Sequence, residues 1–364
     1  MEKILAAPGR YIQGPGALAH LGKYVAPLGQ KATVVLTEHG KQRVGTAIET
    51  GLKEAGVAFE WFTFGGECSM NEINRIKASA EAFGSQIILA VGGGKIIDAV
   101  KAACYYMNIP AGICPTIAST DAPCSALTVV YTDDSVFESY LFLRQNPTFV
   151  LVDTEVVAKA PSRLLVSGMG DALATYIEAK SCVVKGADNF VGGKSTMSAL
   201  ALAELCFRTL LSDGLKAKLA LDAGGALTPS VEKVVEANTL LSGIGFESCG
   251  LAAAHAIHNG LTACEETHDR YHGEKVSFGT LVELVLENYS MPEITEIIRF
   301  CKSVGLPVTL AELGIKKPEP AKLREVAKLA CAEGDTMGNL SVAVTEDDVY
   351  NAILAADMLG QSIN

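Results

Sequence analysis

The feature that most narrows the possible folds is a regular alternation beginning at Lys31. Residues 31–37 (KATVVLT) read as a strand, and residues 41–55 as a helix closed by Gly56. Residues 57–64 make a second strand and 71–83 a helix. Residues 86–91 (QIILAV) are apolar almost throughout, the kind of strand buried on both faces of a parallel sheet. Gly92, Gly93 and Gly94 then open a helix running to about Tyr106, and 110–114 is the next strand. Strands separated by helices of this length imply βαβ units and an α/β, doubly wound, mainly parallel sheet. Residues 125–131 and 136–142 read as a hairpin turned through Asp133 and Asp134, and 148–153 as a last strand.

Beyond Pro161 the pattern is helical: 163–184, 195–212, 229–245, 250–263, 276–289, 293–304, 320–333 and 346–359. The expected organisation is an α/β domain over residues 1–160 and an all-helical domain over 161–364. A chain of 364 residues can bury a core in each. With no run of 18 apolar residues it reads as soluble rather than membrane-embedded. The segment MEKILAAPGRYIQGPG is broken early by Pro8 and Gly9, so no signal peptide is expected. Ten scattered cysteines without a CxxC pair suit reduced thiols in the cytoplasm, and a net charge of -11 argues against a nucleic-acid partner.

The triple glycine ends an apolar strand and begins a helix. There the backbone approaches a ligand closely, and free N–H groups together with the helix dipole favour a phosphate. It is neither GxGxxG nor a Walker A loop, since Ile96 stands where Ser or Thr is required. Its position favours a pyrophosphate site over a plain tight turn. Lys95 either adds a cation or is a solvated first-turn residue, and Asp98 reads as a dipole or capping group. Glu38, ending the first strand, either binds an adenosine ribose and favours NAD over NADP, or is an ordinary loop acid. The hydroxyl-rich segment 115–131 (PTIASTDAPCSALTVVY) offers Thr116, Ser119 and Ser125 as ribose and nicotinamide contacts or as turn formers.

A second cluster lies in 250–275, which holds four of the six histidines: His255, His258, His268 and His272. His255 and His258 sit one turn apart on a buried-type helix, and His272 precedes a helix beginning near Val276. Asp171 lies among Gly170, Ala172, Leu173 and Ala174, where an unpaired charge would be costly. A metal would explain it, as would a helix N-terminus or several donors. Asp171, His255 and His272 supply one oxygen and two nitrogens from three elements, which suits zinc with an open fourth position.

Several segments carry a resemblance. They are GGGKxxD (92–98), ASTDAPCSAL (118–127), DDSVFESY (133–140), GDALAT (170–175), EANTLLSGIGFESCGLAAAHAIHNG (236–260) and HGEKVSFGTL (272–281). Through them the chain resembles the glycerol dehydrogenases of the iron-containing alcohol dehydrogenase superfamily, whose fold is dehydroquinate synthase-like. The resemblance implies NAD-dependent oxidation of glycerol and related vicinal diols to dihydroxyacetone, in a cleft between two domains. It implies one Zn2+ per subunit on Asp171, His255 and His272, and a pyrophosphate on Gly93, Gly94 and Lys95. Cofactor contacts would come from Glu38, Thr116, Ser119, Ser125, Leu127 and Tyr131. Asp121 would contact a glycerol hydroxyl, and His258 would relay a proton or order the site. A homo-octamer is the family expectation. Superfamily members that use iron carry another histidine four residues after the ligand Asp; here that position is Thr175. His272 is favoured over His268 by the HGEKV match. Rival readings are glycerol-1-phosphate dehydrogenase or another polyol dehydrogenase, a dehydroquinate synthase-type lyase, and a non-enzymatic NAD- or metal-binding protein. Glycerol-1-phosphate dehydrogenase and the lyase would need a phosphate pocket, and the segments near Asp171 and His255 supply few basic residues for one.

Overall fold

The computed structural model describes residues 2–363 and divides into two compact units, with the chain passing from one to the other between Pro161 and Ser162. Two short segments depart from a single cut. Glu2 to Leu5 belong to the helical unit, and Ala223–Leu227 belong to the α/β unit.

In the α/β unit the elements are β1 (Tyr11–Gly14), α1 (Gly22–Val25), β2 (Lys31–Leu36), α2 (Glu38–Glu54), β3 (Ala58–Thr63), α3 (Met70–Phe83), β4 (Ile87–Gly92) and α4 (Gly94–Met107). They continue with β5 (Ala111–Pro115), β6 (Leu127–Tyr131), β7 (Phe137–Phe142), β8 (Phe149–Asp153) and α5 (Thr154–Ala158). Among the described residues, six strands pair in parallel in the order β1-β8-β5-β4-β2-β3, and β6 and β7 form a separate antiparallel hairpin. The apolar runs of β4, β5 and β8 are buried along their whole length, as strands covered on both faces must be. Leu36, Ile48, Leu52, Leu89, Phe149 and Leu151 join one face of the sheet to α2. Thr37 and Ser69 cap α2 and α3 by accepting the N–H groups of Gly40 and Glu72. Strand β1 goes beyond the sequence reading. YIQG is short and half-buried, and becomes a strand by pairing with β8, Tyr11 opposite Val150.

The strand order reverses between β2 and β4, which lie side by side although β3 separates them in the chain. The carboxyl ends of two such strands form the crevice where open α/β sheets take their ligands. Glu38 follows one and Gly93 the other.

The helical unit comprises α6 (Ser162–Lys185), α7 (Met197–Asp222), α8 (Pro229–Glu236), a π-helical stretch Ala237–Leu241, α9 (Ser242–Cys249) and α10 (Ala253–Leu261). It ends with α11 (His272–Leu286), α12 (Met291–Val304), α13 (Pro320–Ala330) and α14 (Glu346–Ser362). The helix expected over 229–245 is thus interrupted by a π turn and runs on to Cys249. The helix expected near Val276 begins at His272. Its polar first turn is stabilised by Glu274, which accepts the Tyr271 N–H at 2.8 Å and pairs with Arg163 at 2.6 Å. Among the described residues no single helix is long and apolar enough to cross a membrane.

Helix α11 packs against both α6 and α10. Its approach to α6 is so close that a Cβ on Gly273 would lie 1.8 Å from the Ser167 carbonyl oxygen and 2.8 Å from the Asp171 nitrogen. Only glycine allows this contact, and it sets His272 beside Asp171. Gly273→Ala is expected to force the helices apart and destabilise the protein by about 1–3 kcal/mol. Chemical denaturation checks this, and an unchanged midpoint would contradict the packing argument.

Candidate metal centre and nucleotide site

Asp171 stands in the middle of α6 and is only 1% exposed. His255 comes from α10 and His272 from the first residue of α11. The three converge. Asp171 Oδ1 lies 3.0 Å from His272 Nε2 and 3.4 Å from His255 Nε2. One ligand-type atom from each side chain falls within 4.8 Å of the others. Both rings therefore turn the same nitrogen, Nε2, toward the carboxylate.

The opposite nitrogens are occupied. His255 Nδ1 lies 2.7 Å from Glu178 Oε2, while Glu178 Oε1 accepts the N–H groups of Ala252 (2.8 Å) and His255 (3.0 Å). Glu178 sits two turns beyond Asp171 on the same face of α6, so one helix supplies both a candidate ligand and the acid that orients another. Glu283, on α11, accepts the Ala254 N–H at 2.7 Å and steadies the start of α10. His272 Nδ1 lies 3.0 Å from His258 Nε2, and His258 Nδ1 lies 3.1 Å from Asn259 Oδ1. The Asn259 amide donates to Asp335 at 3.0 Å. With an ion on His272 Nε2, that chain has one consistent direction: His272 donates to His258, His258 to Asn259, and Asn259 to Asp335.

The electrostatics agree. Burial opposes the charged form of Asp171, but His272 and His255 outweigh it and hold the carboxyl well below the usual range. For His255 burial pulls downward, and the charges of Glu178 and Asp171 overcome it and raise the ring well above its ordinary value. His258 is pushed well below by burial first and then by the charges of His272, Lys275 and His255. A buried anion facing two ring nitrogens is a donor set that a divalent cation fits.

Other candidate residues fall elsewhere. His268 is exposed and bonds the Thr262 carbonyl at 3.1 Å, apart from the cluster. Thr175 shares a buried 2.8 Å hydrogen bond with Ser242. Glu178 was not foreseen: an acid within a helix reads as a solvated position, although its two-turn spacing from Asp171 was a signal.

In the α/β unit, Gly93 caps α4 without any side-chain bond, and a Cβ on Gly94 would meet nothing within 4 Å. The first turn of this helix is thereby left open to an anion. Lys95 is ion-paired with Glu67 at 2.6 Å. Glu38 is the exposed first residue of α2 and accepts from Thr63 Oγ1 at 2.7 Å. Buried Thr116 follows β5 and donates its N–H to the Gly92 carbonyl at 3.1 Å, which places it beside the glycine turn. Ser119 and Asp121 lie half-buried in the loop that leads to β6, Ser125 is buried, and Leu127 and Tyr131 are half-buried on β6. Asp98 differs from its expected capping role: its carboxylate is buried and accepts the Val129 N–H of β6 at 3.1 Å.

The model of the family described as iron-containing alcohol dehydrogenase matches residues 8–154, which points to the class. A glycerol dehydrogenase of Escherichia coli O6:H1 is 52% identical over 99% of this chain and 98% of its own length. The crystal structure of a probable glycerol dehydrogenase from Sinorhizobium meliloti superposes with a TM-score of 0.94 at 46% identity, covering 100% of both chains. That of glycerol dehydrogenase from Schizosaccharomyces pombe gives 0.95 at 38% identity, over 99% of this chain and 91% of the other. The chain belongs to the iron-containing alcohol dehydrogenases and, among them, to the glycerol dehydrogenase family.

Glu178→Gln keeps the shape of the side chain and removes the charge that orients His255. Metal affinity is expected to fall about 10- to 100-fold. Chelator competition measures it, and unchanged affinity would leave Glu178 a purely structural acid.

Proposed function

We propose that the protein catalyses reversible, NAD-dependent oxidation of the secondary hydroxyl of glycerol to dihydroxyacetone, using zinc. The observation that carries this reading is the convergence of Asp171, His255 and His272. Their oxygen and two nitrogens suit zinc with positions left for substrate. Full-length similarity to glycerol dehydrogenases supports the substrate and disfavours the glycerol-phosphate and lyase readings.

In this reading the helical unit holds the metal and the diol, and the α/β unit holds the cofactor. Bound at the cluster, zinc would supply Lewis acidity, making a coordinated hydroxyl easier to deprotonate near neutral pH. Asp171 supplies the negative charge of the ligand set, and Glu178 holds His255 in the tautomer that leaves Nε2 free. His258 orders the ring of His272 through Nδ1, the supporting role that its half-buried position between His272 and Asn259 favours. Asp121 receives a glycerol hydroxyl and orients the carbon that loses hydride. The Gly93–Gly94 turn and Lys95 hold the pyrophosphate, while Thr116, Ser119, Ser125, Leu127 and Tyr131 hold ribose and nicotinamide. Glu38 accepts the adenosine ribose hydroxyls and repels a 2′-phosphate. We further propose a cytoplasmic homo-oligomer, an octamer by family resemblance.

Initial rates with glycerol, 1,2-propanediol, dihydroxyacetone and a monohydric alcohol, with and without zinc, test the reading. Chelation should abolish diol-dependent NADH formation, and added zinc should restore it. Full activity after chelation would sink the metal role, and equal activity on the monohydric alcohol would sink bidentate diol binding. Asp121→Asn is expected to lower kcat roughly 100-fold with NAD affinity little changed; an unaltered kcat would remove Asp121 from the site.

A further inference from the structure

Lys101 lies in the third turn of α4 and is 1% exposed, the largest fully buried side chain among the described residues. A lysine is seldom sealed in this way without partners that direct every N–H. Its ammonium donates to the Ala122 carbonyl at 2.9 Å, to the Ser125 carbonyl at 3.2 Å and to the Leu127 carbonyl. Its counter-charge, Asp98 Oδ1, is 3.3 Å away on the same helix. Asp98 in turn accepts the Val129 N–H through Oδ2, and its backbone carbonyl accepts from Thr128 Oγ1 at 3.3 Å. Burial drives the Asp98 carboxyl upward against the pull of Lys101, so the pair is mutually dependent.

One helix thus begins at the Gly93–Gly94 turn and, from its buried interior, grips residues 122–129. We propose that Lys101 is a positioning residue: it fixes the Asp121-bearing loop at a set distance from the nucleotide turn, and so controls turnover without touching substrate or cofactor. Apolar packing could hold this loop near α4, but it would not set the directions of the Ala122, Ser125 and Leu127 carbonyls. The ammonium does, at the cost of burying a charge. The inference rests on the proposed dehydrogenase reading for the role of the loop.

A cavity of about 120 Å³ lined by Lys101, Cys104, Tyr105, Asn108 and Arg144 lies beside this side chain. It offers a route for chemical rescue. Lys101→Met and Lys101→Ala should fold, lose roughly 30-fold or more in kcat, and raise the KM for glycerol, because small misplacements of orienting groups are costly. Binding of ADP-ribose, which senses the glycine turn without the nicotinamide contacts, should stay within about threefold of wild type. Propylammonium should restore turnover to Lys101→Ala and leave Lys101→Met unchanged.

Either variant retaining wild-type kcat overturns the proposal. So does a parallel loss of turnover and ADP-ribose binding without rescue, which marks a merely structural lysine. If both lysine variants fail to fold, Asp98→Asn decides: a selective fall in kcat supports the proposal, and an unchanged kcat overturns it. Wild-type protein in the same assay separates the two claims. No glycerol-dependent NADH formation there sinks the functional reading, whereas normal wild-type rates with unaffected variants sink only the role of Lys101.

Discussion

A carboxylate in the middle of a buried helix is the constraint on which the helical unit depends. Asp171 is excluded from water, and every neighbour on α6 is small or apolar. Holding an anion there requires positive charge within reach, and α10 and α11 bring it as two imidazole edges. Their arrival dictates much else. Gly273 is needed so that α11 can lie on the backbone of α6, Glu178 so that His255 presents Nε2, and His258 so that His272 does the same. The remaining helices cover this arrangement.

The α/β unit follows a different logic. The core of its sheet is held by the apolar strands β4, β5 and β8, and the glycine turn and Glu38 stand at strand ends. The reversal of strand order opens a crevice between the ends of β2 and β4, where Gly93 starts α4 without a side-chain cap and leaves the backbone of its first turn open. Where side chains do intervene, as with Asp98 and Lys101, they act from inside and shape a loop.

Legibility in the sequence divides along the same lines. The parallel sheet was readable because β4, β5 and β8 are apolar runs bounded by turns, and the glycine turn because it must follow such a run. Asp171, His255 and His272 were readable because an acid among alanines and a histidine cluster are both anomalous. What escaped notice were polar residues in ordinary-looking helical positions. Glu178 and Lys101 are charged residue types that ordinarily face solvent, and the packing of other elements over them reveals their burial. The start of α11 escaped for a related reason: His272, Glu274 and Lys275 make a first turn without apolar periodicity, and the helix there is set by capping. β1 was hidden because its strand character comes entirely from β8.

The two halves of the candidate metal centre differ in how they tolerate changes of chain length. Asp171 and Glu178 share one helix, so inserting or deleting a single residue between them would rotate one by about 100° relative to the other and dismantle both the ligand and its support. His255 and His272 are instead joined by an irregular, largely exposed loop, and each is fixed by the helix that carries it. That loop can lengthen or shorten without moving either ring. Among divergent chains of this architecture, the spacing along α6 should therefore be the durable signature, and the distance between the two histidines should drift.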